Sequence, residues 1–298
     1  MKTGLAALIS PHTLNTFLEL YSTNTPLLVK HPAASLRALR ELPFLASLPD
    51  LLSSWPHTIQ AHLPDLRDEA SSVDTTARDA RKLFENGMGL LFNEVHTVSP
   101  VLCEWLEEIK QDLGVSALTY SRCMVYATPD GRGTAPHFDQ NINFVLQLQG
   151  TKTWKVAPNS QVLNPMSRHT MGQPADPELS GYLEAPLPSE LPETASSYEL
   201  TPGSLLFVPR GCWHQTLASG EALSLNFTFS APTWIDLFTA AIRSRLALSP
   251  QWRQTADGVS SPERRPAAQT QFDSLLQELV ADLPFWKAAD ILDATDPQ

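Results

Sequence analysis

Cysteine is scarce in this chain: Cys103, Cys123 and Cys212 stand far apart and form no C-x-x-C pair. They can build neither a disulfide framework nor a structural zinc site, and they suit a reducing cytoplasm. Long apolar runs are missing too. No stretch approaches the roughly 18 apolar residues of a membrane span, and the opening MKTGLAALISPHTLNTFLEL turns polar too early for an export signal. A soluble cytoplasmic protein with no membrane partner is therefore expected. Basic residues are outnumbered, 21 Lys and Arg against 32 Asp and Glu, which leaves a net charge of −11 and no basic stripe. That balance disfavours a nucleic-acid partner. Glycine numbers only 13 while proline reaches 25, a composition suited to short strands and ordered turns rather than to a helical bundle.

The 298 residues allow one large domain or two ordinary ones, and their patterning changes twice. Residues 1–115 read as a mainly helical N-terminal region that packs on the strand-rich part of the chain. Ser10-Pro11-His12 opens one helix, with Leu14, Phe17, Leu18 and Leu20 as its stripe, and an extended run covers 26–29. Helices are expected at 33–42 and 45–55, and most clearly at 101–113, started by Ser99-Pro100 and stopped by Gly114. Residues 116–231 turn strand-like at 118–127, 143–149, 153–157, 204–208 and 222–230. Within them 158–201 is a Pro/Ser/Glu-rich insertion of little periodicity, expected to be a long loop of the kind that forms lids. Residues 232–298 read as helical again, over 235–248 and, after a polar break at 254–269, over 272–292. There Phe272, Leu275, Leu276, Leu279, Val280 and Leu283 make an apolar stripe, with Phe285 and Trp286 after it.

The strand faces carry the chemistry. Alternate residues of a strand share a face, so His137, Asp139, Asn141 and Asn143 line one side while Phe138, Ile142, Phe144 and Leu146 line the other. The late strand divides the same way, Ser224, Asn226, Thr228 and Ser230 against Leu223, Leu225, Phe227 and Phe229. A solvated polar face is the plain alternative. Against it stands a third strand whose sharp Pro209-Arg210-Gly211 turn delivers His214, 77 residues after His137. Two neutral imidazoles and a carboxylate cover one face of a mid-series divalent ion and leave three positions open. Fifteen residues after His137, Lys152 shares a strand face with Trp154, whereas Lys155 takes the opposite face. Only one of the two lysines can point into the metal cavity.

At these residues the chain resembles the JmjC-type, cupin-fold Fe(II)/2-oxoglutarate oxygenases. The likeness is carried by T-A-P-H-F-D-Q-N-I-N-F (134–144), L-Q-L-Q-G-T-K-T-W (146–154), P-G-S-L-L-F-V-P-R-G-C-W-H (202–214) and S-L-N-F (224–227). Within the group, N-G-M-G-L-L-F-N-E-V-H (86–96) and V-Y-A-T-P-D-G (125–131) are similar to ribosomal oxygenases. Thr134, Asn143 and Asn226 are more like the asparaginyl hydroxylase that acts on hypoxia-inducible factor. One departure is the segment after the barrel, shorter than the winged-helix module of ribosomal oxygenases.

The resemblance implies a mainly β fold with flanking helices: a double-stranded β-helix (cupin or jelly-roll) barrel at 116–231 between helical N- and C-terminal segments. It implies His137, Asp139 and His214 as ligands of catalytic Fe(II), and Lys152 as the cation that pairs with the distal carboxylate of 2-oxoglutarate, with dioxygen as the other co-substrate. Thr134, Asn143, Asn226 and Tyr126 match residues beside the co-substrate, and Arg122, Gln140, Asn141 and Arg210 fall where substrate is selected. Trp213 is expected to pack, and Cys123, Cys212 and His96 to be structural. The implied activity is hydroxylation of an amino-acid side chain in a protein or peptide. The competing readings are a cupin metalloenzyme that acts on a small molecule without 2-oxoglutarate, and a non-catalytic peptide-binding JmjC module. Related oxygenases dimerise through elements after the barrel, so the stripe at 272–283 is expected to join a homodimer.

Overall fold

A computed structural model describes residues 4–30, 36, 39–63 and 71–295. They divide into two compact units, one of the described residues up to Gly114 together with Tyr120–Ser230, the other of Val115–Thr119 and the described residues from Ala231 onward.

The first unit is built on eleven strands: β1 (Leu27–Val29), β2 (Ile59–His62), β3 (Ser72–Thr75), β4 (Gly89–Phe92), β5 (Tyr120–Thr128), β6 (Gly133–Phe138), β7 (Ile142–Ala157), β8 (His169–Thr170), β9 (Ser196–Leu200), β10 (Leu205–Val208) and β11 (Trp213–Ser230). They pair antiparallel in the order β1-β10-β7-β11-β5-β4-β2-β3, with β6 also on β11, β8 on β6 and β9 on β7. β7 and β11 organise the rest. They run together over most of their length, and each changes its other neighbour midway: β7 from β10 to β9, β11 from β6 to β5. Register shifts between Ser219 and Ser224 mark the change, and such irregularities bend a strand and sharpen its twist. Gly150 sits opposite this bend at φ 66°, where a Cβ would lie 2.0 Å from the Glu221 carbonyl oxygen. The sequence pattern predicts separate strands at 143–149 and 153–157; the backbone carries both as one, because a glycine there bends the strand without ending it.

Strand alternation sorts the core. Phe138, Phe144, Leu146, Leu225, Phe227 and Phe229 are buried on the face away from the polar side chains; Phe17 and Trp105, both on helices, lie against Phe144 and Phe227. Phe17, on the Leu14–Ser22 helix, packs edge-on against Phe207 with ring centroids 4.9 Å apart and lies 5.8 Å from Phe144. That helix begins later than Ser10-Pro11 predicts, because the Thr13 hydroxyl caps it by accepting from the Thr16 amide. The Pro100–Leu113 helix starts and stops as its sequence predicts. Ser99 caps it, Pro100 occupies its first turn, and Gly114 ends it at φ 64°. Half of the helix predicted at 33–42 lies outside the described residues.

Segment 158–201 is more ordered than a long loop. It contains β8, a short Pro177–Ser180 helix and the whole of β9. Val162 and Leu179 are buried with Phe138, Ala157 and Trp213, and Met171, Tyr182, Leu183 and Leu187 pack around them. Its apolar residues follow no period because they come from turns rather than from one element.

In the second unit helices span Trp234–Leu246, Arg265–Asp282 and Ala288–Thr295. The long one begins inside the segment read as a polar break and stops before Pro284, which opens a short 3-10 turn at Leu283–Phe285.

If Phe17 fastens its helix to the barrel, Phe17→Ala will cost about 3–5 kcal/mol of unfolding free energy. Urea unfolding followed by circular dichroism measures it.

Candidate metal centre

Strand register assembles the site. β6 meets β11 with His137 opposite His214, and the two rings face each other with centroids 4.2 Å apart. Asp139 follows just past the end of β6, with its Oδ2 3.9 Å from His137 Nε2 and 3.7 Å from His214 Nε2. The far nitrogens fix both rings. Nδ1 of His137 lies 2.7 Å from the Ala135 carbonyl oxygen and Nδ1 of His214 2.9 Å from that of Cys212. A carbonyl only accepts, so each Nδ1 carries the proton and each Nε2 presents its lone pair toward Asp139. Burial, reinforced by His137, pushes the His214 pKa down to about 4, which keeps the ring neutral near pH 7. The three donor atoms lie within 4.8 Å of one another, and among the described residues no other trio of His, Cys, Asp or Glu forms such a group. Two imidazoles and a carboxylate gathered on one side fit a non-haem Fe(II) ion.

The donors open onto a cavity of about 370 Å³ inside the barrel. Lys152 lines it, only 4 % exposed, with its ammonium donating to the Thr128 hydroxyl at 2.8 Å. Burial lowers its pKa to about 8, and no carboxylate of the described residues forms an ion pair with it. A buried ammonium partnered by a hydroxyl alone is costly. An anionic ligand in the cavity would supply its missing partner. Lys155, on the opposite face, is exposed.

Thr134, Asn143, Asn226 and Tyr126 all line the same cavity. The Thr134 and Thr216 hydroxyls are 3.0 Å apart, and Asn143 Oδ1 accepts from the Thr228 hydroxyl at 2.8 Å. The side-chain oxygen of Asn226 is buried without a hydrogen-bond partner. Burial, then the charge of Asp139, pushes the Tyr126 phenol up to about 12. Arg122, Gln140 and Asn141 line the cavity as well. Gln140 does so because 139–141 form a bend rather than a strand, which breaks the strict alternation expected there. Arg210 is not part of the lining; its guanidinium donates to the backbone carbonyls of Asn164 and Pro165 and ties the insertion to the turn before His214. Trp213 is fully buried against Phe138. Cys123 and Cys212 are buried free thiols, and Nδ1 of His96 accepts from the Cys123 amide.

Sequence reasoning missed Arg168, which lines the cavity and pairs through Nε with Asp139 Oδ1 at 3.2 Å. It lies in the aperiodic insertion, and no local pattern marks it. Missed too were the cavity wall given by β2 and β4 (His62, Leu90 and Leu91) and the hydroxyl of Thr128.

Residues 104–237 match the JmjC domain family. The uncharacterized protein YxbC of Bacillus subtilis is 30% identical over 285 residues, covering 94% of this chain and 86% of YxbC. Ribosomal oxygenase 1 of Gallus gallus is 28% identical over 218 residues, 67% of this chain, and this chain spans only 33% of that relative. Among solved structures, the ribosomal oxygenase YcfD of Escherichia coli, in complex with cobalt and succinic acid, superposes with a TM-score of 0.55 at 18% identity, over 91% of this chain and 67% of YcfD. The fold is thus that of the cupin-type JmjC oxygenases, and the chain belongs to the JmjC-domain family.

The lowered pKa of Lys152 sets a pH dependence. The folded form releases this proton near pH 8 and the unfolded chain near 10.5, so the unfolded state binds more protons between these values and stability rises with pH there. The gain is complete above 10.5 and is lost as pH falls toward 8. Relative to Lys152→Met, the wild type will gain on the order of 3 kcal/mol across that window, read by urea unfolding at stepped pH. Taking the difference cancels the opposite contributions of Cys212 and Tyr126, whose pKa values are raised by burial.

Proposed function

We propose that this protein is an Fe(II)- and 2-oxoglutarate-dependent hydroxylase of an amino-acid side chain in a protein or peptide. The observation that carries this reading is a buried lysine without a carboxylate partner in the same cavity as two histidines and an aspartate whose donor atoms converge. His137, Asp139 and His214 hold the metal, and Lys152 holds the distal carboxylate of 2-oxoglutarate, assisted by Thr128. Thr134, Asn143, Asn226 and Tyr126 border the co-substrate. Tyr126 keeps its proton at all working pH values. Iron, 2-oxoglutarate and dioxygen together supply the oxidant: one oxygen atom enters the substrate C–H bond as hydroxyl, the other enters succinate, and carbon dioxide leaves. The protein orients the reactants, neutralises their charge and walls off water with Trp154, Leu90 and Leu91. Arg122, Gln140 and Asn141 face the substrate. Relatives that are ribosomal oxygenases favour a protein substrate, and the net charge of −11 argues against nucleic acid. Among the described residues no helix is long and apolar enough to cross a membrane, and the free thiols suit a reducing cytoplasm.

Lys152→Ala strips a buried carboxylate of its partner, a loss worth roughly 3–5 kcal/mol. The 2-oxoglutarate concentration needed for succinate formation will rise by about two orders of magnitude or more, while metal affinity stays nearly unchanged. Unaltered 2-oxoglutarate dependence would remove Lys152 from this role and favour a cupin enzyme that works without the co-substrate. Mass spectrometry for a +16 product in a treated lysate identifies the substrate.

The second unit supports a homodimer. The Arg265–Asp282 helix buries none of its residues within the chain, leaving Phe272, Leu276 and Val280 at 53%, 40% and 66% exposure. A second copy laid antiparallel on this face covers it. Light scattering will give twice the chain mass of 32.8 kDa, and Leu276→Asp will give monomers with unchanged helicity.

A further inference from the structure

We propose that Arg168 is a positioning residue of the metal centre, holding the Asp139 carboxylate so that it offers the metal one oxygen and not two. This rests on the metal-binding reading given above.

Backbone pairing puts Arg168 in place. β8 adds to the edge of β6 with Thr170 opposite His137 and His169 opposite Phe138, which leaves Arg168 and Asp139 one residue beyond the end of the ladder, on the same side of it. Cross-strand neighbours of opposite charge are in reach of each other, and the Arg168 Nε to Asp139 Oδ1 distance is 3.2 Å. The other oxygen, Oδ2, is the one near both imidazole Nε2 atoms. The carboxylate is thus divided, one oxygen toward the guanidinium and one toward the metal position.

The surrounding backbone holds this division rigid. The Asp139 carbonyl accepts from the Gly211 amide at 2.9 Å, and the Met171 amide donates to the Pro136 carbonyl at 2.8 Å. Arg210 grips the Pro165 carbonyl just upstream of Arg168. The two turns that flank the metal histidines are therefore fastened to the stretch that carries Arg168.

The consequence is a coordination count. Three protein donors on a six-coordinate ion leave three positions, enough for a chelating 2-oxo acid and dioxygen. An aspartate bound through both oxygens would occupy one of these. Arg168 keeps it open at an electrostatic cost, since a guanidinium near a divalent cation repels it. The two effects have opposite signs, so a measurement separates them.

Mn(II) binding to the full-length protein, with water-proton relaxation counting the exchangeable waters on the ion, is the test. Arg168→Ala is expected to remove one exchangeable water from bound Mn(II), because the released second oxygen of Asp139 takes that position. Arg168→Lys, which keeps a charged donor, is expected to keep that water. The Arg168 side chain is 39% exposed, so its truncation leaves no core cavity to unfold the chain. An unchanged water count in Arg168→Ala would overturn the assignment and leave the metal site standing. A wild type that binds no Mn(II) would overturn the metal reading itself.

Discussion

The site depends on the backbone register between β6 and β11. A slip of one residue would turn His137 or His214 to the outer face, and the metal position would vanish with it. The approach of the two strands is close. At Gly133 a Cβ would stand 1.7 Å from the Thr216 carbonyl oxygen, next to the irregularity between His214 and Thr216. Only a residue without a side chain permits the contact that brings the two histidines face to face. The ring orientations then follow from carbonyls two residues upstream of each histidine, one within β6 and one in the turn that leads into β11.

Charge is the second constraint. Among the described residues, the cavity lining holds Lys152, Arg122, Arg132 and Arg168 but only one carboxylate, Asp139, in a chain whose net charge is −11. Asp139 and Arg168 offset each other, while Lys152 has a hydroxyl in place of an anion. A fold selected for stability alone would replace such a lysine with an apolar residue of similar volume. Its retention in a cavity points to a ligand that completes it. Acid in excess on the outside and cations within also draw a small anionic co-substrate inward over the last few ångströms.

That His137, His214 and Lys152 share one cavity was legible because a strand repeats every two residues and each of them lies on a strand. The same period put Asn143, Asn226 and Thr228 on the polar face, which in the structure lines the cavity. What escaped was non-local. Arg168 meets Asp139 through a two-residue strand, too short for any periodicity to announce. The wall from β2 and β4 reaches the barrel through pairing of β4 with β5, which no local pattern encodes. Arg210, which the sequence placed among the substrate contacts, turned instead to the carbonyls of the insertion. A charged side chain on a tight turn reaches several neighbours, and tertiary packing decides among them. The long C-terminal helix began early because polar residues that read as a break have adequate helix propensity once Pro266 occupies the first turn.

The packing of segment 158–201 limits how the enzyme can breathe. Its buried side chains share one apolar cluster with Phe138 and Trp213, the immediate neighbours of His137 and His214. Swinging this segment outward would wet both aromatics and loosen the two histidines beside them. Any outward movement of the segment therefore carries the cost of exposing that cluster. The same packing couples the insertion to the site: a substitution that loosens Val162 or Leu179 would be felt at Phe138 and Trp213, and through them at the two histidines.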